Sequence, residues 1–219
     1  AVYHFRRQEL ARAAAWGFLV GRTRPNGCFL SIVLACLIAE RWWAERKIAK
    51  FPNSQISTLV ASASAPGVGM LAFSAYVHHL TGDFFGWARL HEAWGRSFEG
   101  LAPVARAYQR LTDEGLTRVV QNAPFDTLNS LALIFVVLML WPIVRRLGFA
   151  YAAFVLLNVV PPMLAGGVLS MGRLTATLFP AFLALAAVLP PRAVTPLVTA
   201  FAIAQGLAAV LFFTWRPLF

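Results

Sequence analysis

Seven apolar runs, bounded by proline, glycine and charged residues, dominate the pattern of the chain. A membrane-spanning helix needs about 20 predominantly apolar residues, with a range near 17 to 25. The first and sixth runs are short, which tilting, a re-entrant path or snorkelling arginine side chains would accommodate. The pattern predicts an all-α, polytopic membrane helical bundle with about seven transmembrane helices in one transmembrane domain. The predicted spans are residues 9–21, 28–44, 56–79, 127–144, 148–169, 174–189 and 193–214.

The composition supports a bilayer environment. Apolar residues make up 59% of the 219-residue chain and charged residues 13%. An average soluble domain is roughly a quarter charged and a little under half apolar. A soluble fold of this size has too small a core to hide so much apolar surface, whereas in a bilayer apolar side chains can face lipid.

Basic residues cluster at the ends of the apolar runs, and the formal net charge is +10. With seven spans, one side of the membrane carries ten basic residues in short segments and the other carries four. The first set is Arg6, Arg7, Arg12, Arg41, Arg46, Lys47, Lys50, Arg145, Arg146 and Arg192, and the second is Arg22, Arg24, Arg173 and Arg216. Cytoplasmic segments carry such an excess, so the N-terminus is predicted to be cytoplasmic. The basic residues form no stripe with aromatic residues on a polar surface, so we expect no nucleic-acid partner.

The segment 80–126 is the one long stretch between predicted spans, and it carries six of the nine acidic residues. Residues 84–98 have helical spacing, with aromatic and charged side chains on different faces, which is typical of a helix at the membrane interface. A second helix is predicted after Pro103, ending near Gly115. Its apolar residues Val104, Tyr108 and Leu111 are expected to face inward.

Small residues are concentrated in the predicted span 56–79. They are Ser57, Ser62, Ser64, Gly67, Gly69 and Ser74. In lipid, such residues allow helix backbones to approach closely. This span is therefore predicted to pack inside the bundle.

Several polar residues lie at the predicted outer ends of the spans, and three arginines are candidates for contact with an anion. A guanidinium group matches phosphate oxygens bidentately. Arg173 could instead anchor a span at the interface by snorkelling, and Arg24 could be an orientation charge in a turn. Arg96 lies four residues after Glu92, so an ordinary pair on a helix surface also explains it.

Asp83 follows Thr81 and Gly82 at the end of the third predicted span. It could cap the helix that follows, or it could have a catalytic or metal-binding role. The chain has no Walker loop, no Gly-x-Ser-x-Gly, no His-Glu-x-x-His and no Cys-x-x-Cys motif. The sequence thus contains no catalytic constellation that is sufficient by itself.

Three segments, in order, resemble a known family. They are Thr23-Arg24-Pro25-Asn26-Gly27 before an apolar run, Leu80-Thr81-Gly82-Asp83 followed by Trp94-Gly95-Arg96, and Ser170-Met171-Gly172-Arg173 followed by Phe179-Pro180. Over residues 10–190 the chain resembles bacterial relatives of PIG-V, the GPI mannosyltransferase type within the GT-C glycosyltransferases.

The resemblance implies a membrane glycosyltransferase that uses a polyprenyl-phosphate-linked sugar, typically mannose, as its donor. Arg24, Asp83, Arg96 and Arg173 correspond to motif positions, and Arg173 is the best candidate for binding the donor phosphate. His91 and Trp94 are candidates for the acceptor or the membrane interface. The site would open on the periplasmic or extracellular side of a bacterial inner membrane, together with loop 80–126. No cofactor is certain, and a divalent metal is possible.

Enzymes of the GT-C type place their catalytic acid in the first outer loop, and no outer acid in this chain matches that motif. We therefore expect the chain to be the C-terminal part of a longer transferase, with Asp83 as a weak catalytic candidate. Two alternatives stay open: a transporter or flippase for an amphiphilic substrate, and a non-catalytic membrane scaffold subunit. For the transporter, Pro66 and the pair Pro161 and Pro162 could break helices.

Overall fold

The computed structural model describes residues 1–23, 25–45, 53–93 and 97–214, and these residues form helices and short connections without any strand. The helices are α1 (Val2–Arg6), α2 (Leu10–Thr23), α3 (Phe29–Glu45), α4 (Asn53–Thr81), α5 (Gly86–Ala93), α6 (Ala102–Asn122), α7 (Pro124–Arg146), α8 (Phe149–Gly166), α9 (Met171–Thr175), α10 (Phe179–Val188) and α11 (Pro191–Phe213). A 3-10 turn at Pro25–Cys28 joins α2 to α3. The chain divides into two compact units. Unit 1 contains Ala1–Ser97 and Phe149–Asn158, and unit 2 contains Phe98–Gly148 and Val159–Phe219.

Four helices in the described ranges are long and apolar enough to cross a membrane. They are α4, α7, α8 and α11, with the apolar stretches Ile56–Thr81, Pro124–Arg146, Phe149–Gly166 and Pro191–Val210. This agrees with a helical membrane protein. The other three predicted spans fall on shorter helices: α2 has 14 residues, α3 has 17 and α10 has 10. Seven spans are therefore not confirmed.

The shortness of α10 has a local cause. Leu189 adopts an extended conformation (ψ 129°) directly before Pro190. A proline disfavours the helical conformation of the residue before it, because its ring collides with that residue's backbone. The apolar run 174–189 is thus one short helix preceded by the separate turn of α9.

In unit 1, α2 and α4 cross with their backbones nearly in contact. A Cβ atom added at Gly21 would lie 1.9 Å from the carbonyl oxygen of Pro66, and one added at Gly69 would lie 2.1 Å from that of Phe18. Ser62 is buried, and its hydroxyl donates a 3.1 Å hydrogen bond to the carbonyl of Leu10. The close packing predicted from the small residues of span 56–79 is confirmed within this unit.

The beginning of α8 packs into the core of unit 1. Ala150 is fully buried there, and its backbone N–H donates a 2.9 Å hydrogen bond to Oε1 of Glu40 on α3. The first N–H groups of a helix lack partners in the helix and carry a partial positive charge. The Glu40 carboxylate therefore caps α8 from a neighbouring helix.

Prolines do not interrupt the helices in which they lie. α4 continues through Pro66, and the N–H of Gly67 is bonded to the hydroxyl of Ser31 at 3.0 Å. α8 continues through Pro161 and Pro162 and ends before Gly167, which has φ +61°. Bundles tolerate proline in a helix where neighbouring groups bond the freed backbone atoms.

In unit 2, α7 packs against α9 and α10. Phe135 and Phe182 have ring centroids 5.7 Å apart, and Val136, Ile143 and Ala184 are buried. By contrast, none of the stretch Pro191–Val210 of α11 is buried within the structure.

The long loop is helical, as predicted, but its details differ. α5 is shorter than the predicted helix 84–98, and residues 94–96 lie outside the described ranges. The predicted helix after Pro103 is α6. Gly115, with φ 77° and ψ 157°, interrupts it near the predicted end, and helical structure then resumes up to Asn122.

The prediction that Val104, Tyr108 and Leu111 face inward is wrong, because all three are exposed and α6 has no buried residue. The amphipathic pattern identifies an apolar stripe on the helix. It does not identify what covers that stripe, which can be lipid as well as protein.

Candidate functional site

The turn 170–173, which contains the strongest sequence candidate, is held tightly in unit 2. Ser170 has a left-handed backbone (φ 59°, ψ 20°), which is uncommon for a residue other than glycine. The next residue, Met171, is fully buried, and Thr175 is buried with its hydroxyl 2.8 Å from the carbonyl of Met171. Strained backbone held by its surroundings is often found at functional sites.

Asn129 on α7 fixes this turn from a different helix. Its side-chain Oδ1 accepts a 2.7 Å hydrogen bond from the backbone N–H of Gly172, and its Nδ2 donates a 3.0 Å bond to the carbonyl of Phe125. Only 3% of Asn129 is exposed. The amide therefore joins α7 to the residue directly before Arg173.

Sequence reasoning missed Asn129. The available signal was a polar amide near the start of an apolar span, because polar side chains in spans usually form hydrogen bonds between helices. The partner of that bond, a backbone N–H 43 positions later, leaves no mark in the sequence.

Arg173 is exposed on α9, and within the described part of the chain it makes no hydrogen bond or ion pair. An arginine side chain stays charged at any physiological pH. A fixed backbone with an exposed cation at its tip can bind an external anion, and the planar guanidinium is suited to phosphate oxygens.

Other groups lie close to the end of α8, from which this turn leaves. The N–H of Glu99 donates a 3.0 Å hydrogen bond to the carbonyl of Leu164, and a Cβ added at Gly167 would lie 3.0 Å from Pro103. The beginning of α6 thus lies against the end of α8. Arg106, on that part of α6, forms an ion pair with Glu99 and differs from Arg173 in being neutralised.

Asp83 lies in unit 1 and has both carboxylate oxygens engaged. Oδ1 accepts a 3.0 Å hydrogen bond from the N–H of Phe85, and Oδ2 lies 2.9 Å from the guanidinium of Arg89. This geometry agrees with the helix-capping role for the beginning of α5. To act as a general base, Asp83 would have to exchange Arg89 for a substrate.

The structure describes only one of the remaining predicted site residues. His91 belongs to α5 by its backbone. Arg24, Trp94 and Arg96 lie outside the described residues. Among the described residues, no group of three or more His, Cys, Asp or Glu side chains could hold a metal ion.

The chain matches no protein-family model, no curated protein and no solved structure. Its function therefore has to be inferred from its own residues and their arrangement.

Proposed function

We propose that this chain is the part of a membrane glycosyltransferase, similar to mannosyltransferases, that binds the phosphate of a polyprenyl-phosphate-linked sugar donor. The observation that carries the proposal is Arg173. It is an exposed cation on a turn fixed by Asn129, and no described residue neutralises it.

A donor phosphate is the anion that best fits this position. Its lipid chain would be in the bilayer beside apolar helices such as α7 and α11, and its phosphate would be at the level of a span end. Arg173 is on α9, the next helix after α8, and α8 is one of the apolar stretches long enough to cross a membrane. We place this end on the periplasmic or extracellular side, as the distribution of basic residues predicts.

The reaction would be direct transfer of the sugar. An acceptor hydroxyl attacks the anomeric carbon, forming a new carbon–oxygen bond, while the bond from that carbon to the phosphate oxygen breaks. The electron pair of the broken bond goes to the polyprenyl phosphate, whose charge increases, and the hydroxyl proton goes to a carboxylate base. Arg173 would stabilise the charge that develops on the leaving phosphate.

The base is a separate question from phosphate binding. Asp83 would have to lose its ion pair with Arg89 to serve as the base, so we do not assign the base to Asp83. The transporter alternative has less support, since α4 and α8 continue through their prolines. None of the buried polar residues in the described ranges, Ser62, Ser74, Asn129 and Thr175, is ionisable.

The test is sugar transfer by the full-length protein in membranes with the substitutions Arg173→Gln and Arg173→Lys. We expect Arg173→Gln to lower kcat/KM for a polyprenyl-phosphate sugar by about a hundredfold, the usual effect of removing one donor to a developing charge. Arg173→Lys should retain part of the activity, because it keeps the charge and loses the bidentate geometry.

Arg192→Gln is the matched control, since Arg192 is also an exposed arginine at a helix end but is predicted to be on the opposite side of the membrane. It should leave transfer unchanged. Unchanged transfer and donor binding with Arg173→Gln would refute the assignment of the phosphate site.

A further inference from the structure

Residues 102–114, the part of α6 before its interruption at Gly115, have one apolar and one polar side. With 3.6 residues per turn, four large apolar side chains fall on one side of this segment and form an apolar stripe. They are Leu101, Val104, Tyr108 and Leu111. Arg106, Gln109 and Asp113 lie about 150° around the helix axis from the centre of the stripe. Each member of the stripe is at least 43% exposed, so the described residues leave much of it open.

The structure ties this segment to the ends of two apolar helices, all within unit 2. At its beginning, Pro103 lies so close to Gly167, directly after α8, that a Cβ added at the glycine would be 3.0 Å from it. Near its other end, Nη1 of Arg110 lies 3.9 Å from Oδ2 of Asp126, in the first turn of α7. Pro103 and Arg110 lie about 130° around the axis from the apolar stripe. The stripe therefore faces away from the helix ends that hold the segment.

The two helix ends lie on the same side of the membrane when α7 and α8 cross it. These helices follow each other with only Leu147 and Gly148 between them, and both are long and apolar enough to span. Two consecutive crossings return the chain to the side from which it started. A segment tied to the beginning of α7 and to the end of α8 is therefore held near the level of the lipid headgroups, along the membrane surface.

The charges of the segment are balanced. Arg106 forms an ion pair with Glu99, and Arg110 lies within 4.0 Å of the carboxylates of Glu114 and Asp126. Residues 102–114 contain two arginines, one aspartate and one glutamate. Attraction of a basic segment to anionic lipid needs an excess of positive charge, which this segment lacks. The apolar stripe is what attaches the segment to a membrane, and the partner that fits the stripe is the hydrocarbon of the bilayer.

We propose that residues 101–114 are an interfacial membrane helix, whose apolar stripe inserts below the lipid headgroups on the side where α7 begins and α8 ends. Tyr108 suits this depth, because a tyrosine ring can contact hydrocarbon while its hydroxyl stays hydrated. The partner is the lipid surface itself, whatever the charge of its headgroups. The helix needs no residue of the 170–173 turn, so the proposal can be tested without the transferase assay.

The test is spin labelling of the full-length protein in phosphatidylcholine vesicles, with every native cysteine replaced by alanine and one new cysteine in each variant. Val104→Cys and Leu111→Cys put the label on the stripe, and Gln109→Cys and Asp113→Cys are matched controls on the polar side of the same segment. Collisions of the label with oxygen, which concentrates in hydrocarbon, are compared with collisions with a nickel chelate, which stays in water. We expect the ratio of oxygen to nickel collisions to be several-fold higher on the stripe than at the controls.

Leu138→Cys, at an exposed position within α7, gives the reference ratio for a label in hydrocarbon. Vesicles containing phosphatidylglycerol should give the same pattern, because the charges of the segment are balanced. The proposal is overturned if the stripe labels collide chiefly with the nickel chelate, which places them in water. It is also overturned if they are shielded from both reagents, which means that another part of the protein or a second copy covers them, or if insertion occurs only with phosphatidylglycerol.

A second measurement keeps the native cysteines and applies if the cysteine-free protein does not fold. Phosphatidylcholine with a photoreactive diazirine in the upper part of its acyl chain is activated beside the wild-type protein, and the adducts are mapped by mass spectrometry. We expect adducts at Val104, Tyr108 and Leu111 and none at Gln109 or Asp113. Adducts spread evenly over the two sides, or absent from the segment, would overturn the proposal.

Discussion

Helices α4 and α11 have almost the same hydropathy and opposite surroundings. Their apolar stretches have mean hydropathies of 1.5 and 1.7, yet 33% of the first is buried within the structure and none of the second. Both contain small residues. In α4, however, Gly69 lies against the backbone of Phe18 on α2, whereas a Cβ added at Gly206 of α11 would meet nothing within 4 Å.

The difference shows what makes two helices pack in a membrane. Lipid is as apolar as leucine, so apolar character alone does not bring helices together. Close packing requires a glycine on one helix at the height where the backbone of the other helix passes, as at Gly21 against Pro66 and Gly69 against Phe18. Hydropathy therefore predicts that a helix enters the membrane, and the register of small residues determines its neighbour.

The largest expected effect on stability comes from adding one methyl group at a glycine in the contact between α2 and α4. Gly21→Ala should destabilise the protein by about 3 kcal/mol, because the new Cβ would collide with the backbone of α4 and overpacking costs about this much. Gly206→Ala is the control, and it should be neutral or stabilising by up to about 1 kcal/mol through helix propensity. Unfolding in mixed detergent micelles, followed by circular dichroism, measures both. Equal changes in stability at the two glycines would contradict the difference in packing between α4 and α11.

A smaller effect is expected where unit 2 is held together by a polar contact instead of close backbones. Asn129→Ala leaves the buried N–H of Gly172 without its partner, which should cost about 1 to 3 kcal/mol. Hydrogen exchange at the Gly172 amide should become faster, and sugar transfer should fall because the turn that carries Arg173 loosens.

Asn158→Ala is the matched control for that substitution. The Asn158 side chain donates to the carbonyl of Phe154 in its own helix, at 2.8 Å, and fixes no other element in this way. It should leave Gly172 exchange unchanged. If exchange at Gly172 is the same in both variants, Asn129 does not hold the turn.

The smallest expected effect on stability concerns the Glu9 carboxylate, directly before α2 in unit 1. The His4 ring and the Arg12 guanidinium, both hydrogen-bonded to the Glu9 carboxylate, lower the pKa of Glu9. A carboxyl whose pKa is lower in the folded state adds stability above its unfolded pKa, and this stability is lost as the pH falls through the folded pKa.

Thermal unfolding from about pH 7 down to about pH 3, which brackets the usual carboxyl range, measures this contribution. Glu9→Gln should lower the midpoint slightly at neutral pH and make no difference at the acid end. Glu114→Gln, whose partner Arg110 is 4.0 Å away, is a control with a weaker pair. A larger fall of the midpoint at neutral pH with Glu114→Gln than with Glu9→Gln would contradict the role given to Glu9.

Local patterns predicted local structure well. The helix after Pro103 and the capping alternative for Asp83 both depend on residues a few positions apart, and the structure agrees with each. The predicted end near Gly115 is only an interruption, because the helix resumes and reaches Asn122. The inward orientation of Val104 failed, because orientation depends on a neighbour that the pattern does not name. For Arg173, the sequence located the cation and could not show whether it had a partner.

By itself, the sequence predicted a helical membrane protein, four of its long apolar helices, and which side chains carry charge near helix ends. These properties follow from hydropathy, proline and glycine positions, and spacing within one helix turn. Only the tertiary structure decided that α2 and α4 touch, that Asn129 holds Gly172, and that Glu40 caps α8. Each of these joins residues far apart in the chain. Such contacts depend on the height and rotation of one helix against another, which no pattern along a single helix specifies.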